Sequence, residues 1–311
     1  MQYLLLIAGF VLLVKGADFF VDGSSGLAKR LRVPTMIIGL TIVAIGTSLP
    51  ETSVSIAASV AGKNDLAISN AIGSNIFNLL IVCGVCAAIA PITIKQLTID
   101  REFPLSMIIA GILVILALTG RQISRLEGLL LLAFFVLFIV YTLNAAQRTR
   151  ASSEQEENVE ENVMDLWQCI MFIALGGLAI AVGGRLVVSS ASSIAHSFGI
   201  SDTVIGLTIV AAGTSLPELF TSIVAIMHKE TDIALGNIIG SNIFNILFVL
   251  GTATLISPIS ISTANIIDIV MFILFSFVTF WFCKTNKKLI QWEGAVLICI
   301  YLVYILYICA R

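Results

Sequence analysis

The chain has 311 residues, of which 58% are hydrophobic and 12% charged, with a formal net charge of −2 and a mean hydropathy of +1.05. A soluble domain carries about twice that share of charged residues. Apolar runs of roughly 20 residues recur, each long enough to cross a hydrocarbon core about 30 Å thick. The composition therefore excludes an ordinary soluble domain and predicts an all-α integral membrane protein in a lipid bilayer. The charge gives no indication of a nucleic-acid partner, and we predict neither an enzyme nor a bound cofactor.

Hydropathy predicts ten transmembrane helices, at 2–21, 35–61, 66–90, 103–119, 126–145, 166–190, 203–227, 233–256, 264–283 and 289–310. The only long polar connection, 147–165, contains the acidic stretch SSEQEENVEEN, which is typical of a solvated, flexible linker. This linker divides the chain into two predicted domains of five helices each, 1–146 and 166–311.

The two halves are repeats of each other. A shift of 167 residues aligns 39–84 with 206–251 without a gap, and 28 of these 46 positions are identical. Because each repeat has an odd number of spans, the second copy enters the membrane from the opposite side. The sequence thus predicts an inverted 5+5 repeat, an architecture of many secondary transporters that bind substrate near the midplane between the halves.

The loops carry unequal numbers of basic residues on the two sides of the predicted membrane. The positive-inside rule assigns the richer side to the cytoplasm. We therefore expect a plasma or inner membrane protein with both termini outside and a cytoplasmic 147–165 linker. The richer side has eleven basic residues, namely Lys29, Arg30, Arg32, Lys95, Arg101, Arg148, Arg150, Lys229, Lys284, Lys287 and Lys288, and the other has five, namely Lys63, Arg121, Arg125, Arg185 and Arg311.

The hexapeptide GTSLPE occurs at 46–51 and again at 213–218, each time inside a predicted span. In the first copy, Pro50 lacks the N–H that would bond the carbonyl four residues earlier, so the helix should be interrupted there. The carbonyls from Ala44 to Thr47 are therefore predicted to lack helical partners. At membrane depth such groups are tolerated only where they line a cavity or bind something.

Each copy of GTSLPE ends in a glutamate, Glu51 or Glu218. An acid at the bilayer centre costs about 2.5–3.5 kcal/mol, and no Lys or Arg within the spans is placed to pair with both. A bound cation would remove that cost. Thr47 and Ser48 lie one turn before Glu51, and hydroxyls, carboxylates and carbonyls are the hard oxygen donors that Ca²⁺ prefers. No His or Cys joins the motif, which disfavours soft metals.

A companion motif, GSNIFN, occurs in the span that follows each glutamate. Its serine and its second asparagine are four residues apart and so share one helix face, as Ser74 does with Asn78 and Ser241 with Asn245. A single copy would be read as helix packing, in which small residues and asparagines join neighbouring helices. Because the motif is duplicated at the same distance from a duplicated glutamate, we interpret it as part of a binding site.

The pair of motifs, present in both halves, resembles the α-repeats of the cation/calcium exchanger superfamily, and specifically its prokaryotic sodium/calcium exchanger branch. The resemblance covers nearly the whole chain apart from the linker and the details of the end helices. It implies ten helices in an inverted repeat and antiport of Na⁺ for Ca²⁺, with the first and sixth helices sliding as the gate. Proton/calcium exchangers usually have a Gly-Asn pair before the acid, and they match less well.

The resemblance also implies which residues hold the ions. Glu51 and Glu218 would bridge Ca²⁺ and share the flanking Na⁺ sites. The remaining ligands would be the carbonyls of Thr47 and Thr214 for Ca²⁺, the carbonyls of Ala44 and Ala211 and the hydroxyls of Ser74 and Ser241 for Na⁺, with Ser48, Ser215, Asn78 and Asn245 also lining the site. Exchangers of this branch often have Asp at the position of Asn245, so this chain has two carboxylates in the site and not three.

Other functions remain open on the sequence alone. A proton/calcium or other divalent-cation antiporter would use the same scaffold, and a cation channel or a membrane scaffold with structural acids are further alternatives. The predicted site is complete within one chain, so a monomer would suffice. Outside the motifs, His228 is predicted to be a solvated loop residue.

Overall fold

The computed structural model describes residues 1–153, 164–200, 209 and 211–310, and most of these residues are helical. The α-helices are Gln2–Leu31, Thr35–Ile38, Ala44–Thr47, Leu49–Val60, Asn64–Phe77, Cys83–Ile89, Phe103–Gly120, Arg125–Ser153, Leu166–Ser197, Ala211–Gly213, Leu216–Met227, Thr231–Phe244, Leu250–Ile256, Thr263–Asn286 and Gln291–Ala310. Within the described residues, five-residue π-helical turns occur at Gly39–Val43, Asn78–Val82, Thr98–Glu102 and Asn245–Val249. The described part of the chain also has strands of two residues each, at Ile92–Thr93, Gln122–Ile123, Ile259–Ser260 and Lys288–Leu289.

Eight helices in the described part of the chain are long and apolar enough to cross a membrane, and a ninth span is formed if the bent pair Thr35–Thr47 and Leu49–Val60 counts as one. This confirms a multi-pass, all-helical membrane protein. The predicted seventh span begins in 201–208, which lie outside the described residues, and its described part includes the short helices Ala211–Gly213 and Leu216–Met227. The count of ten therefore stays a prediction.

Several helices are longer than hydropathy predicted. The first was predicted to end at residue 21 but runs to Leu31, where Arg32 adopts the left-handed conformation that ends it. Its last turn contains Lys29 and Arg30, and basic side chains there are stabilised by the helix dipole. The fifth helix extends to Ser153, so the first residues of the predicted linker are helical. Hydropathy marks where a helix leaves the hydrocarbon, whereas good helix formers such as Ala, Gln and Arg prolong it beyond.

Contacts divide the chain into two compact units that do not follow the two halves of the sequence. Unit 1 comprises Met1–Pro50 and Phe138–Asn237, and unit 2 comprises Glu51–Leu137 and Ile238–Arg311. Each unit therefore takes segments from both predicted repeats. The predicted domains describe how the sequence is duplicated, whereas the units describe how it packs.

In unit 1 the first helix packs closely along helix Leu166–Ser197. Glycines allow this, because a Cβ added at Gly16 would lie 2.9 Å from the carbonyl oxygen of Gly176, and one added at Gly176 would lie 2.6 Å from the backbone nitrogen of Phe20. The same contact recurs one heptad away, where a Cβ on Gly9 would lie 3.0 Å from the carbonyl oxygen of Gly183. Small residues at such spacing let membrane helices approach to backbone contact.

The first helix also contacts the segment that follows helix Leu216–Met227, again within unit 1. The His228 ring nitrogen Nδ1 lies 3.0 Å from the Asp22 carboxylate, and the Ser25 hydroxyl donates to Glu230. His228 is exposed in the turn after helix Leu216–Met227, as predicted for a solvated loop residue, and it has in addition a contact that the sequence did not predict. Its partner Asp22 is 206 positions away in the chain, a separation at which local pattern gives no signal.

Unit 2 contains two sets of contacts that repeat the same arrangement. Gly84 packs against Gly294, and Gly251, which is 167 residues after Gly84, packs against Gly128. The short strands pair in the same way, Ile92–Thr93 with Lys288–Leu289 and Gln122–Ile123 with Ile259–Ser260. In each case a segment of one repeat contacts a segment of the other repeat, and the internal repeat relates the two contacts to each other.

Candidate functional site

Both GTSLPE motifs contain a helix break at their serine. Ser48 has φ −87° and ψ 11°, and Ser215 has φ −93° and ψ 8°, so neither continues the preceding helix. New helices begin at Leu49 and Leu216. The proline is thus the second residue of each new helix, where its missing N–H leaves no hydrogen bond unmade. The predicted interruption is present, two residues before the proline.

Glu218 is fully buried in unit 1, in the first turn of its helix. Its Oε1 accepts a hydrogen bond from the Ser48 hydroxyl at 2.8 Å, whereas its Oε2 is buried and has no hydrogen-bond partner among the described residues. The Thr47 hydroxyl lies close by and donates to the Asn237 side-chain oxygen at 2.9 Å. A buried carboxylate oxygen without a donor is costly, unless a cation takes the place of the donor.

Glu51 is fully buried in unit 2, in the first turn of the equivalent helix. Its Oε1 is 3.4 Å from the hydroxyl of Ser74, so the structure brings this predicted pair together. Ser55, one turn later on the same helix, accepts a hydrogen bond of 3.0 Å from Asn70. Each glutamate is therefore surrounded by hydroxyl and amide groups of its own unit.

Two further asparagines, Asn70 and Asn237, support the glutamates and were not predicted as site residues. Each donates from Nδ2 to the main-chain carbonyl of its glutamate, at 3.2 and 3.3 Å, and to the serine hydroxyl four residues beyond that glutamate, at 3.0 Å in both units. The signal that could have found them is the repeat itself, because the 167-residue shift aligns the two asparagines and also the two serines.

Replacing Asn237 by alanine should destabilise the protein by about 3 kcal/mol, because three buried groups would each lose a hydrogen bond. These are the hydroxyl of Thr47, the main-chain carbonyl of Glu218 and the hydroxyl of Ser222. The thermal midpoint of the purified protein measures the effect. Asn144→Ala changes an exposed helical asparagine and should leave the midpoint unchanged; equal midpoints for the two variants would contradict the assigned role.

Asn78 and Asn245 are fully buried in unit 2, and each begins a π-helical turn, Asn78–Val82 or Asn245–Val249. Single π-turns inside α-helices occur frequently at functional sites. The side-chain Oδ1 of both asparagines is buried without a hydrogen-bond partner among the described residues. Both predicted residues thus supply oxygens that are free to face a cation.

The expectation that the carbonyls before Pro50 lack helical partners is wrong at Ala44. Its oxygen accepts from the backbone N–H of Ser48 at 3.1 Å, and the hydroxyl oxygen of Thr47 lies 3.3 Å away. The helix keeps its normal hydrogen bond up to the residue at which it breaks, so the break affects later carbonyls and not this one. Binding of an ion by the Ala44 carbonyl would have to compete with the Ser48 N–H.

The remaining predicted site residues belong to the second repeat. Ser241 is fully buried in helix Thr231–Phe244, and Thr214 and Ser215 are buried at the helix break. Ala211 begins the short helix Ala211–Gly213, and its side chain lies outside the described residues.

The donor chemistry of the two motifs is uniform. Carboxylate, hydroxyl and amide oxygens surround both glutamates, and the described residues contain no group of three or more His, Cys, Asp or Glu that could hold a metal ion. Such oxygens suit alkali and alkaline-earth cations, which are bound with mixed neutral and charged ligands. Fold and donors together define a multi-pass helical membrane protein of the cation-transporting class.

Comparison with known proteins supports this class. The family model for sodium/calcium exchanger protein matches residues 1–144 and 169–310. The chain is 45% identical to the putative antiporter CaxA of Alkalimonas amylolytica, over 81% of this chain and 80% of that protein, and 43% identical to the inner membrane protein YrbG of Escherichia coli, over 82% and 79%. A structure of the sodium-calcium exchanger NCX_Mj, from crystals soaked with Na⁺ and Sr²⁺, matches with a TM-score of 0.85 and 31% identity over 98% of this chain and 99% of that one.

The chain belongs to the sodium/calcium exchanger family. It is a multi-pass membrane antiporter with the fold of NCX_Mj, which confirms the family suggested by the two motifs.

Proposed function

We propose that this protein exchanges Na⁺ for Ca²⁺ by alternating access, with Glu51 and Glu218 as the shared charged ligands. The observation that carries the proposal is the buried Oε2 of Glu218, which has no hydrogen-bond partner among the described residues. A bound cation would satisfy that oxygen. Glu51 is also fully buried and lies beside the hydroxyl of Ser74, which supports a cation-binding role for the glutamate of the first repeat as well.

The proposed ligand set is the one that the motifs predict. The neutral oxygens around the glutamates would come from Thr47, Thr214, Ser48, Ser215, Ser74, Ser241, Asn78, Asn245, Ala44 and Ala211. Two ionised glutamates carry a charge of −2, which one Ca²⁺ or two Na⁺ would neutralise. Without a bound cation the carrier would keep a buried charge of −2 and cross between its inward-open and outward-open states poorly. A ligand shifts such an equilibrium only by stabilising one state more than another, and this difference would make exchange obligatory.

The proposed architecture is an inverted 5+5 repeat of ten helices that acts as a monomer. Two findings support the duplication: the matched contacts of Asn70 and Asn237, and the matched pairings of Gly84 with Gly294 and of Gly251 with Gly128. Inverted repeats supply two related half-sites and two related gates. We further propose that both termini face outward and that the 147–165 linker is cytoplasmic, from the distribution of Lys and Arg.

A Ca²⁺ uptake measurement in proteoliposomes tests the exchange. Vesicles loaded with Na⁺ and diluted into Na⁺-free buffer containing ⁴⁵Ca²⁺ should accumulate Ca²⁺, because outward Na⁺ flow drives its entry. Vesicles with equal Na⁺ on both sides should show little uptake, and a pH gradient alone should not replace the Na⁺ gradient. Uptake that follows the proton gradient and ignores Na⁺ would favour the proton/calcium alternative. Rapid Ca²⁺ flux with no counter-cation inside would indicate a channel.

A further inference from the structure

The four asparagines of the two GSNIFN motifs form a reciprocal hydrogen-bonded set within unit 2. All four are buried, with exposed fractions of 0% or 1%. Asn78 Nδ2 donates to the side-chain oxygen of Asn242 at 3.3 Å, and Asn245 Nδ2 donates to the side-chain oxygen of Asn75 at 3.0 Å. Each bond joins the last asparagine of one motif to the first asparagine of the other.

One end of this set is fixed by the main chain. Asn75 Nδ2 donates to the backbone carbonyl of Asn242 at 3.2 Å, and a carbonyl can only accept. The amide of Asn75 therefore cannot be turned over without losing this bond. Its oxygen must then face Asn245, which places the NH₂ group of Asn245 on that side and its Oδ1 on the other. The bond between Asn75 and the main chain of Asn242 therefore fixes the orientation of the Asn245 amide.

The consequence is visible at the last asparagine of each motif. The Oδ1 atoms of Asn78 and Asn245 are buried and have no hydrogen-bond partner among the described residues, while their nitrogens donate hydrogen bonds. A neutral amide can present either an oxygen, which attracts a cation, or an NH₂ group, which repels it. Which one it presents decides whether the residue is a ligand or an obstacle.

We propose that Asn75 and Asn242 are positioning residues for ion binding: they hold the amide nitrogens of Asn245 and Asn78, so that only oxygens of these amides face the transported cation. The role rests on the proposed function, because it concerns the same ion site. Neither residue is a ligand in it. The device replaces the charge that a carboxylate would supply at these positions with a fixed dipole, and a fixed dipole needs no reorganisation when the ion arrives.

The competing explanation is that the four amides only join helices, as asparagines do within membranes. Both explanations predict that removing Asn75 destabilises the protein. They differ in what happens when the amide that Asn75 orients is itself replaced. A carboxylate at position 245 presents an oxygen in either orientation, so it does not need Asn75 to orient it. A role of Asn75 in helix packing would be unaffected by that change.

Calcium binding to the purified full-length protein, measured by titration calorimetry with Ca²⁺ as the sole added cation, separates the two. Asn75→Ala and Asn242→Ala should each weaken Ca²⁺ binding about tenfold, because the freed amide can turn its NH₂ group toward the ion. In the Asn245→Asp background, Asn75→Ala should change the dissociation constant less than about twofold. Asn265→Ala, which removes a buried asparagine at a helix start in the same unit, should leave it unchanged.

An equal loss of affinity from Asn75→Ala in both backgrounds would overturn the positioning role, and so would unchanged affinity in the single variant. If Asn75→Ala does not fold, the comparison is made with Asn242→Ala in the wild-type and Asn78→Asp backgrounds, where the same reversal is expected. Absence of Ca²⁺ binding in the wild-type protein would instead contradict the proposed function. The two failures are therefore distinguishable.

Discussion

Replacing Glu218 by glutamine should abolish Na⁺-driven Ca²⁺ uptake and weaken Ca²⁺ binding about 100-fold, equivalent to about 2.7 kcal/mol. The side chain is fully buried, its Oε1 accepts from Ser48, and its Oε2 has no hydrogen-bond partner among the described residues. Glutamine keeps the size and one oxygen but removes the charge that would attract the ion. Calorimetric titration with Ca²⁺, followed by uptake into Na⁺-loaded vesicles, measures both effects.

The same substitution should act in the opposite direction on the ion-free protein. An uncompensated buried charge is unfavourable, so Glu218→Gln should raise the thermal midpoint in chelator while eliminating the further stabilisation that Ca²⁺ gives the wild-type protein. Glu293→Gln is the matched control, because Glu293 is also buried but accepts a hydrogen bond from the backbone of Ile290 at 2.9 Å. Binding by Glu218→Gln equal to that of the wild type would refute the ligand assignment.

The second large effect is expected at the seam between the first helix and helix Leu166–Ser197. Gly176→Val should lower stability by about 3 kcal/mol or more, since a Cβ there would lie 2.6 Å from the backbone nitrogen of Phe20 and 2.7 Å from the carbonyl oxygen of Gly16. Backbone atoms cannot move aside as a flexible side chain can, so the helices must separate. Thermal denaturation in detergent and the yield of monodisperse protein measure the loss.

Two other glycines provide controls for this substitution. Gly111→Val should have little effect, because a Cβ at Gly111 meets no atom within 4 Å. Gly177 is adjacent to Gly176, but a Cβ there would be 3.5 Å from the ring of Phe20, an ordinary contact, so Gly177→Ala should be tolerated. Comparable losses at Gly176 and Gly111 would mean that helix flexibility, and not close packing, explains the glycine.

The two predictions concern the same unit but different requirements. The seam sets how closely the first helix lies against helix Leu166–Ser197. The glutamate sets which ligand the unit attracts. A variant that unfolds the protein removes transport for a trivial reason, so the Glu218 variant is informative only because its ion-free form is expected to be at least as stable as the wild type.

The burial of Glu51 and Glu218 and the proximity of Ser74 to Glu51 agree with what the repeated motifs indicated, and the role of these residues as ion ligands stays a prediction. The contacts of Asn70 and Asn237 with the glutamate segments were not predicted, although the repeat aligns the two asparagines. The sequence does not indicate which residue a single polar side chain in an apolar span will contact.

Other contacts could not have been predicted by any local pattern. The pairing of His228 with Asp22 joins residues 206 positions apart, and the orientation of each buried amide depends on an asparagine in the other repeat. The Ala44 carbonyl was expected to lack a helical partner, but it accepts a hydrogen bond from Ser48. The helix breaks at Ser48, and the dihedral angles there could not be predicted from the proline alone.

The sequence by itself determined the membrane class, the approximate spans, the duplication and the family, because hydropathy and internal identity are properties of residues in order along the chain. The tertiary structure decided which segments form each compact unit, which helices meet at glycines, and which oxygens of the motifs are left without donors. Those depend on distances between residues more than a hundred positions apart, and such distances are set by packing and by the satisfaction of buried polar groups.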